Sequence, residues 1–202
     1  MPTLLHIDSS PFADNSISRR LTQEFRDRWL ETNPHGEVIY RDLTRISIPT
    51  VTSAWVIAQY TPAEARTPEQ NNLLRFSSEF ATELLAAGEY VIGLPIHNWG
   101  PCAAFKLWID QSVTPFGPKL DGKRATFILS AGRSYAPGSG NESKQHVEPW
   151  LRTLFSGLGL MDVHTLFVDG TVQTQYGPVN RDAFLAPHID TIAGLLRPSL
   201  SI

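Results

Sequence analysis

The chain has 202 residues, of which 42% are hydrophobic and 18% are charged, and its formal net charge is −3. This length suits one α/β domain, and the apolar content excludes a chain that is disordered through charge repulsion. A slightly acidic protein offers no basic field to a nucleic-acid backbone, so we expect a small-molecule ligand and no nucleic-acid partner.

Five short segments rich in β-favouring residues alternate with longer stretches of helical period. Such alternation is typical of a parallel sheet with crossover helices on both faces. We predict a doubly wound α/β fold, with residues 1–202 forming a single domain. The predicted strands are Thr3–Asp8, Glu37–Asp42, Tyr90–Leu94, Ala125–Ser130 and Val163–Asp169.

Three helix starts are well marked in the sequence. Ser16 can cap a helix whose apolar residues recur every fourth position. The run Thr67-Pro68-Glu69-Gln70 combines an N-cap threonine, a proline at the first helical position and a capping-box glutamine, and Gly88 marks the end of that helix. A third start follows Gly100-Pro101.

The other connections and helices have weaker signals. Thr44–Arg66 contains two prolines and no clear period, so we expect a long excursion with at most a short helical piece. Pro115–Gly122 and Ser134–Asn141 are predicted loops. Helices predicted over Gln145–Ser156 and Arg181–Leu196 each contain a proline, which must kink the helix or mark its true start.

Four serines surround the junction of the first predicted strand and helix, namely Ser9, Ser10, Ser16 and Ser18. Ligands of open parallel sheets bind at the carboxyl ends of strands, where helix N-termini offer unpaired N–H groups. The segment is therefore a candidate phosphate site. It contains no glycine, which excludes a Walker A loop and a GxGxxG dinucleotide fingerprint. Helix capping is the alternative, and it accounts for Ser16 but not for the other three.

The segments after the third and fourth predicted strands are candidates for binding a flat ring. Pro95–Pro101 combines an aromatic, an imidazole and an amide side chain, and Ser130–Arg133 contains a glycine that permits close backbone approach. Taken singly, Trp99 is better explained by packing, and His97 and Arg133 by solvent exposure. A phosphate site next to an apolar slot with polar edges describes a site for flavin mononucleotide (FMN).

These segments occur together with Ser16-Ile17-Ser18-Arg19, Arg41-Asp42-Leu43 and Lys106-Leu107-Trp108-Ile109-Asp110. With this combination the chain resembles, from Leu4 to Leu196, the FMN-dependent NADH:quinone oxidoreductases known as azoreductases. The resemblance implies a flavodoxin-like fold with strand order 2-1-3-4-5 and a homodimer with two FMN sites. It also implies a ping-pong cycle, in which NADH or NADPH reduces the flavin before a quinone or azo compound reoxidises it.

The resemblance assigns FMN contacts to three groups of residues. Its phosphate and ribityl loop is matched by Ser10, Ser16, Ile17 and Ser18. Its ring-binding loop is matched by Pro95, Ile96, His97, Asn98 and Trp99, and its ring-edge loop by Ser130, Ala131, Gly132 and Arg133. We expect no catalytic side chain, because the cofactor performs the hydride transfer. His97 is the best candidate for a proton donor or substrate contact.

Three features depart from the family pattern. His97 stands where tyrosine is common, Arg133 stands where a second glycine is common, and the Ser112–Lys123 connection is short. The alternative function is a flavodoxin-type electron carrier that acts on a protein partner, which the small net charge and the long excursion disfavour. A third alternative is a flavodoxin-like module that has lost its cofactor.

The remaining expectations concern cellular compartment and metals. The single cysteine, Cys102, excludes an internal disulfide, and it stands where a buried small residue or a reactive thiol would fit. No signal-peptide pattern and no apolar run of about 18 residues is present. We therefore expect a cytoplasmic protein without a membrane segment and, because its histidines are scattered, without a metal site.

Overall fold

The computed structural model describes residues 1–113 and 117–196. Five parallel strands form a sheet in the order β2-β1-β3-β5-β6, and a two-residue strand β4 pairs antiparallel with β3. The strands are β1 (Thr3–Asp8), β2 (Glu37–Asp42), β3 (Glu89–His97), β4 (Gly100–Pro101), β5 (Arg124–Ser130) and β6 (Asp162–Val168). The predicted α/β fold and the order of its five parallel strands are confirmed. The strand β4 was not predicted.

The helices follow the predicted starts closely. They are α1 (Ile17–Thr32), α2 (Ser53–Tyr60), α3 (Pro68–Leu73), α4 (Arg75–Ala86), α5 (Ala103–Ser112), α6 (Val147–Gly157), α7 (Val172–Gln175) and α8 (Arg181–Leu195). Ser16 and Thr67 both act as N-caps, and Thr67 forms the predicted capping box with Gln70. The short helix α7 was not predicted.

One helix prediction is wrong at its centre. The stretch from Thr67 to Gly88 is divided into α3 and α4 at Leu74, whose backbone leaves helical geometry with ψ near 3°. The Leu74 side chain is buried in a small cluster with Trp55 and Ala58 of α2. Tertiary packing against α2 therefore overrides the local helical pattern.

The two prolines predicted in the later helices occupy different positions in them. Pro149 is the third residue of α6, in the first turn, where its missing N–H costs no helical hydrogen bond. Pro187 lies inside α8, so it does not mark the start of that helix. In the predicted loop Pro115–Gly122, Pro115 and Phe116 lie outside the described residues.

The sheet is covered on both faces because the side chains of each strand alternate in direction. One core contains strand residues such as Leu5, Ile92 and Leu129 together with apolar residues of α4, α5 and α6. The other contains Leu4 and Val91 with residues of α1 and α8. The carboxyl ends of all five parallel strands therefore open at one edge, between two layers of helices.

The long excursion after β2 is anchored by a buried polar network. The Trp55 indole N–H donates to the Gln111 side-chain oxygen at 2.9 Å, and the Ser77 hydroxyl donates to the same oxygen at 2.7 Å. The Gln111 amide in turn donates to the Pro49 carbonyl at 3.0 Å. These bonds fix α2 and the chain before it against α4 and α5.

Candidate functional site

The three predicted site segments meet at the carboxyl edge of the sheet. Strands β1, β3 and β5 are neighbours, with Asp8 in register with Gly93 and Pro95 in register with Ser130. The Ser9 backbone N–H and hydroxyl both donate to the Gly93 carbonyl, at 3.2 Å and 2.7 Å. The first segment is thus bonded directly to the strand that leads into the second.

In the first segment, backbone N–H groups are more available to a ligand than the serine hydroxyls are. Ser10, Ser16 and Ser18 are all buried, and the Ser16 hydroxyl caps α1 by accepting from the Arg19 N–H at 3.2 Å. The Ser18 side chain faces the sheet at Gly93, with its hydroxyl 3.2 Å from that of Ser16. Within the described residues, the N–H groups of Ile17 and Ser18 donate to no acceptor, as expected for a first helical turn.

An arginine clamp holds the start of this segment. The Arg19 guanidinium donates to both carboxylate oxygens of Asp42, at 2.8 Å and 2.7 Å, and also to the Ser10 carbonyl, at 2.9 Å and 2.7 Å. Burial alone would raise the pKa of Asp42, but hydrogen bonds from Arg19 and Thr44 hold that pKa below its usual value. The clamp explains why Arg19 and Asp42 occur together in the sequence pattern.

A polar cleft of about 390 Å³ lies beside the clamp, between α1 and β2. At its floor, the Tyr40 hydroxyl donates to Asp8 at 3.0 Å, and the His6 ring lies 3.4 Å from the same carboxylate oxygen. Burial, together with the Asp8 charge, raises the pKa of Tyr40 to about 12. Tyr40 therefore remains a neutral donor across the physiological pH range.

The second segment forms a tight hairpin between β3 and β4. His97 pairs with Gly100, and the two residues between them, Asn98 and Trp99, have φ values of 51° and 62°. A two-residue hairpin with left-handed backbone at both central positions is the mirror-image turn that normally favours glycine. Neither residue here is glycine, and backbone strain of this kind concentrates at ligand sites.

The same turn determines which side chains are open. Pro95 is buried, Ile96 and His97 are half-buried, and Asn98 and Trp99 are exposed. No acceptor among the described residues pairs with the Asn98 or Trp99 N–H. The hairpin therefore presents an indole ring and two backbone donors at the sheet edge.

The third segment is joined to the chain that follows β6. The carbonyls of Ala131, Gly132 and Arg133 accept from the N–H groups of Thr171, Val172 and Gly170 respectively, at 3.0 to 3.1 Å. The N–H groups of Gly132 and Arg133 remain without an acceptor in the described part of the chain. A Cβ at Gly132 would meet no atom nearer than Val172 at 4.0 Å, so the fold itself does not require glycine there.

Comparisons with known proteins agree with this geometry. Residues 2–192 match the model of the flavodoxin-like fold family. The chain is 48% identical over 202 residues to FMN-dependent NADH:quinone oxidoreductase 3 of Burkholderia lata, covering 95% of this chain and 98% of that protein. It is 40% identical, with the same coverage, to an FMN-dependent NADH:quinone oxidoreductase of Acidobacterium capsulatum. The chain belongs to the family of FMN-dependent NADH:quinone oxidoreductases.

Solved structures support the fold of this FMN-dependent NADH:quinone oxidoreductase family member. An azoreductase from Bacillus anthracis superposes with a TM-score of 0.82 at 18% identity, covering 96% of this chain and 98% of that one. An FMN-dependent NADH-azoreductase from the same species, solved with FMN, gives 0.81 at 20% identity, covering 96% and 97%. At this level of identity the likeness concerns the fold alone.

Sequence reasoning assigned no site role to four contributors of this family member: Arg19, Asp42, Thr171 and Arg181. Arg19 and Asp42 were recognised only as part of a pattern, although opposite charges after neighbouring strands indicate a pair. Thr171 lies shortly after the carboxyl end of β6, a position that the carboxyl-end rule indicates, whereas Arg181 begins α8 and carried no such signal. Among the described residues, no helix has the length and apolar character needed to cross a membrane.

Proposed function

We propose that this chain is an FMN-dependent oxidoreductase that passes two electrons from NADH or NADPH to quinones or azo compounds. One observation carries the proposal beyond family membership. At a single sheet edge, the three site segments present six backbone N–H groups without acceptors in the described residues, those of Ile17, Ser18, Asn98, Trp99, Gly132 and Arg133. Such an array suits a ligand that is rich in acceptors and negatively charged.

The residues at the start of α1 fit the FMN phosphate. The N–H groups of Ile17 and Ser18 stand at the positive end of a 16-residue helix. The Ser16 hydroxyl caps the helix, and the Ser10 carbonyl accepts hydrogen bonds from the Arg19 guanidinium. The phosphate would therefore meet donors at this point, and the Ser10 carbonyl oxygen is already paired with Arg19.

The other two segments fit the flavin ring. When bound, FMN supplies the two-electron hydride chemistry. Trp99 offers an exposed aromatic face, and the N–H groups of Gly132 and Arg133 can donate to the acceptor edge of the ring, where reduction places negative charge. Ser130 and Ala131 contribute differently: both are buried, and Ala131 is bonded on its N–H and carbonyl sides to β6 and Thr171. Their role in the proposal is to hold Gly132 in place.

We further propose that the chain is a single FMN-binding domain that works as a cytoplasmic homodimer. The helix α2 supports a second copy as partner, because Val56, Ile57 and Tyr60 are exposed on it and Val51 is exposed just before it. Exposed apolar groups of this kind mark contact surfaces. Sedimentation equilibrium of the purified protein tests this part, and a monomer at micromolar concentration contradicts it.

The function is tested with the purified full-length chain and added FMN. We expect saturable binding, bleaching of the flavin absorbance by NADH without oxygen, and recovery of that absorbance when a quinone is added. A flavin that binds but is not bleached by NADH indicates the electron-carrier alternative. A protein that stays colourless in excess FMN contradicts both functions.

A further inference from the structure

Arg181, the first residue of α8, reaches back to the first site segment. Its guanidinium Nη2 donates to the carbonyl oxygens of Asp14 at 3.0 Å and Ser16 at 3.2 Å. The helix does not need this side chain as a cap, because Asn180 already accepts from the Ala183 N–H at 3.0 Å. Within the described residues, both hydrogen bonds of the guanidinium therefore go to a segment more than 160 residues earlier in the chain.

Not every donor of the Arg181 side chain is used. Within the described residues, the Arg181 Nε is buried and has no hydrogen-bond partner. A buried donor without an acceptor destabilises a protein. The two hydrogen bonds to Asp14 and Ser16 oppose that cost and hold the side chain against the first site segment.

The effect concerns the direction of the backbone between Ser10 and Ser18. Carbonyl oxygens carry partial negative charge and would repel a phosphate, whereas N–H groups attract it. Arg19 occupies the Ser10 carbonyl and Arg181 occupies those of Asp14 and Ser16. The Ser16 carbonyl also accepts from the Arg20 N–H at 3.3 Å, as the first acceptor of α1. All three carbonyls are therefore paired, while the N–H groups of Ile17 and Ser18 have no acceptor among the described residues.

We propose that Arg181 is a positioning residue for the FMN phosphate, acting through the carbonyls of Asp14 and Ser16. This inference rests on the proposed function, because it assumes that FMN is the ligand. The proposal predicts that Arg181 strengthens binding of the phosphate group of FMN and has no effect on binding of the flavin ring. Riboflavin has the same ring and lacks the phosphate, so it separates the two contributions.

The experiment titrates the full chain, freed of flavin, with FMN and with riboflavin, following the quenching of flavin fluorescence. Arg181→Met is compared with the wild type and with Arg152→Met. Arg152 is a matched control because it also donates to a backbone carbonyl, that of Val163 at 2.9 Å, at the amino end of β6. We expect Arg181→Met to weaken FMN binding about tenfold, since a hydrogen bond involving a charged group is typically worth that much or more, and to leave riboflavin binding unchanged.

A second measurement needs no ligand. Hydrogen exchange of the flavin-free protein should be faster at Ser16 and Arg20 in Arg181→Met than in the wild type and Arg152→Met, because their N–H groups donate to the carbonyls of Ala13 at 3.1 Å and Ser16 at 3.3 Å. Equal losses of FMN and riboflavin binding would overturn the proposal, because they indicate general support of the fold. Unchanged FMN binding overturns it as well. Failure of the wild type to bind FMN is a different result, which contradicts the proposed function itself.

Discussion

Replacing Arg19 with methionine tests the electrostatic basis of the phosphate segment. The guanidinium is the main partner of the Asp42 carboxylate and lies 3.6 Å from that of Asp8. Both carboxylates are almost fully buried, with side-chain exposures of 6% and 5%. Methionine keeps most of the aliphatic volume and removes the charge, so the substitution leaves two buried carboxylates short of a cation.

Removing one partner of a buried ion pair typically costs about 3–5 kcal/mol. Asp42 retains hydrogen bonds from Thr44 and an ion pair with Arg45 at 3.2 Å, so we expect the lower end, about 3 kcal/mol. For a chain of this size that corresponds to a fall in the melting temperature of about 6–12 °C. Release of the Ser10 carbonyl should also weaken FMN binding.

The pH dependence gives a sharper criterion. Because the folded-state pKa of Asp42 is depressed, its stabilising contribution is present above the unfolded pKa of about 3.9 and is lost as the pH falls through the folded value. The stability gap between wild type and Arg19→Met should therefore be full at pH 7 and smaller below about pH 4. Urea unfolding at several pH values measures it.

Arg20→Met is the control for this prediction. Arg20 follows Arg19 on the same helix, and its exposed side chain pairs with Glu24 at 3.0 Å. A surface pair of this kind is worth less than about 1 kcal/mol. If the two variants unfold at the same urea concentration, or if the gap for Arg19→Met does not change with pH, the buried-pair reasoning is refuted.

Three further substitutions test other parts of the site. Gly93→Ala should destabilise the protein by about 1–3 kcal/mol in urea unfolding, because the new Cβ would lie 3.0 Å from both the Asp8 carboxylate and the Thr22 methyl group; wild-type stability would contradict the close approach. Ser16→Ala should cost about 1 kcal/mol through loss of the α1 cap and weaken FMN binding, and unchanged values of both would exclude the capping role. Trp99→Ala should alter the absorption spectrum of bound flavin with little change in melting temperature, whereas Met161→Ala, at an exposed side chain just before the amino end of β6, should alter neither. Identical flavin spectra in both variants would remove Trp99 from the ring site.

Much of the fold was predictable because it depends on local signals. Short runs of β-favouring residues between helical stretches located the strands. The Ser16 and Thr67 caps located the starts of α1 and α3 within one residue. The errors arise where tertiary contacts determine the local structure. The break at Leu74 depends on packing against Trp55, and β3 extends to His97 only because Gly100 folds back to pair with it.

The site was predictable at the level of segments and less so at the level of atoms. The carboxyl-end rule correctly brought the three segments to one edge. It could not show that the Ser18 side chain faces Gly93, because that depends on the rotation of α1 over the sheet. It also could not show that Arg181 meets Ser16, since nothing local relates two residues so far apart in sequence.

The two arginines that hold the phosphate segment have a consequence for how the cofactor is acquired. Their bonds to the carbonyls of Ser10, Asp14 and Ser16 are made within the polypeptide, so they do not depend on FMN. Little conformational entropy is then left to lose on association. We therefore expect FMN to bind and dissociate without local refolding of this segment.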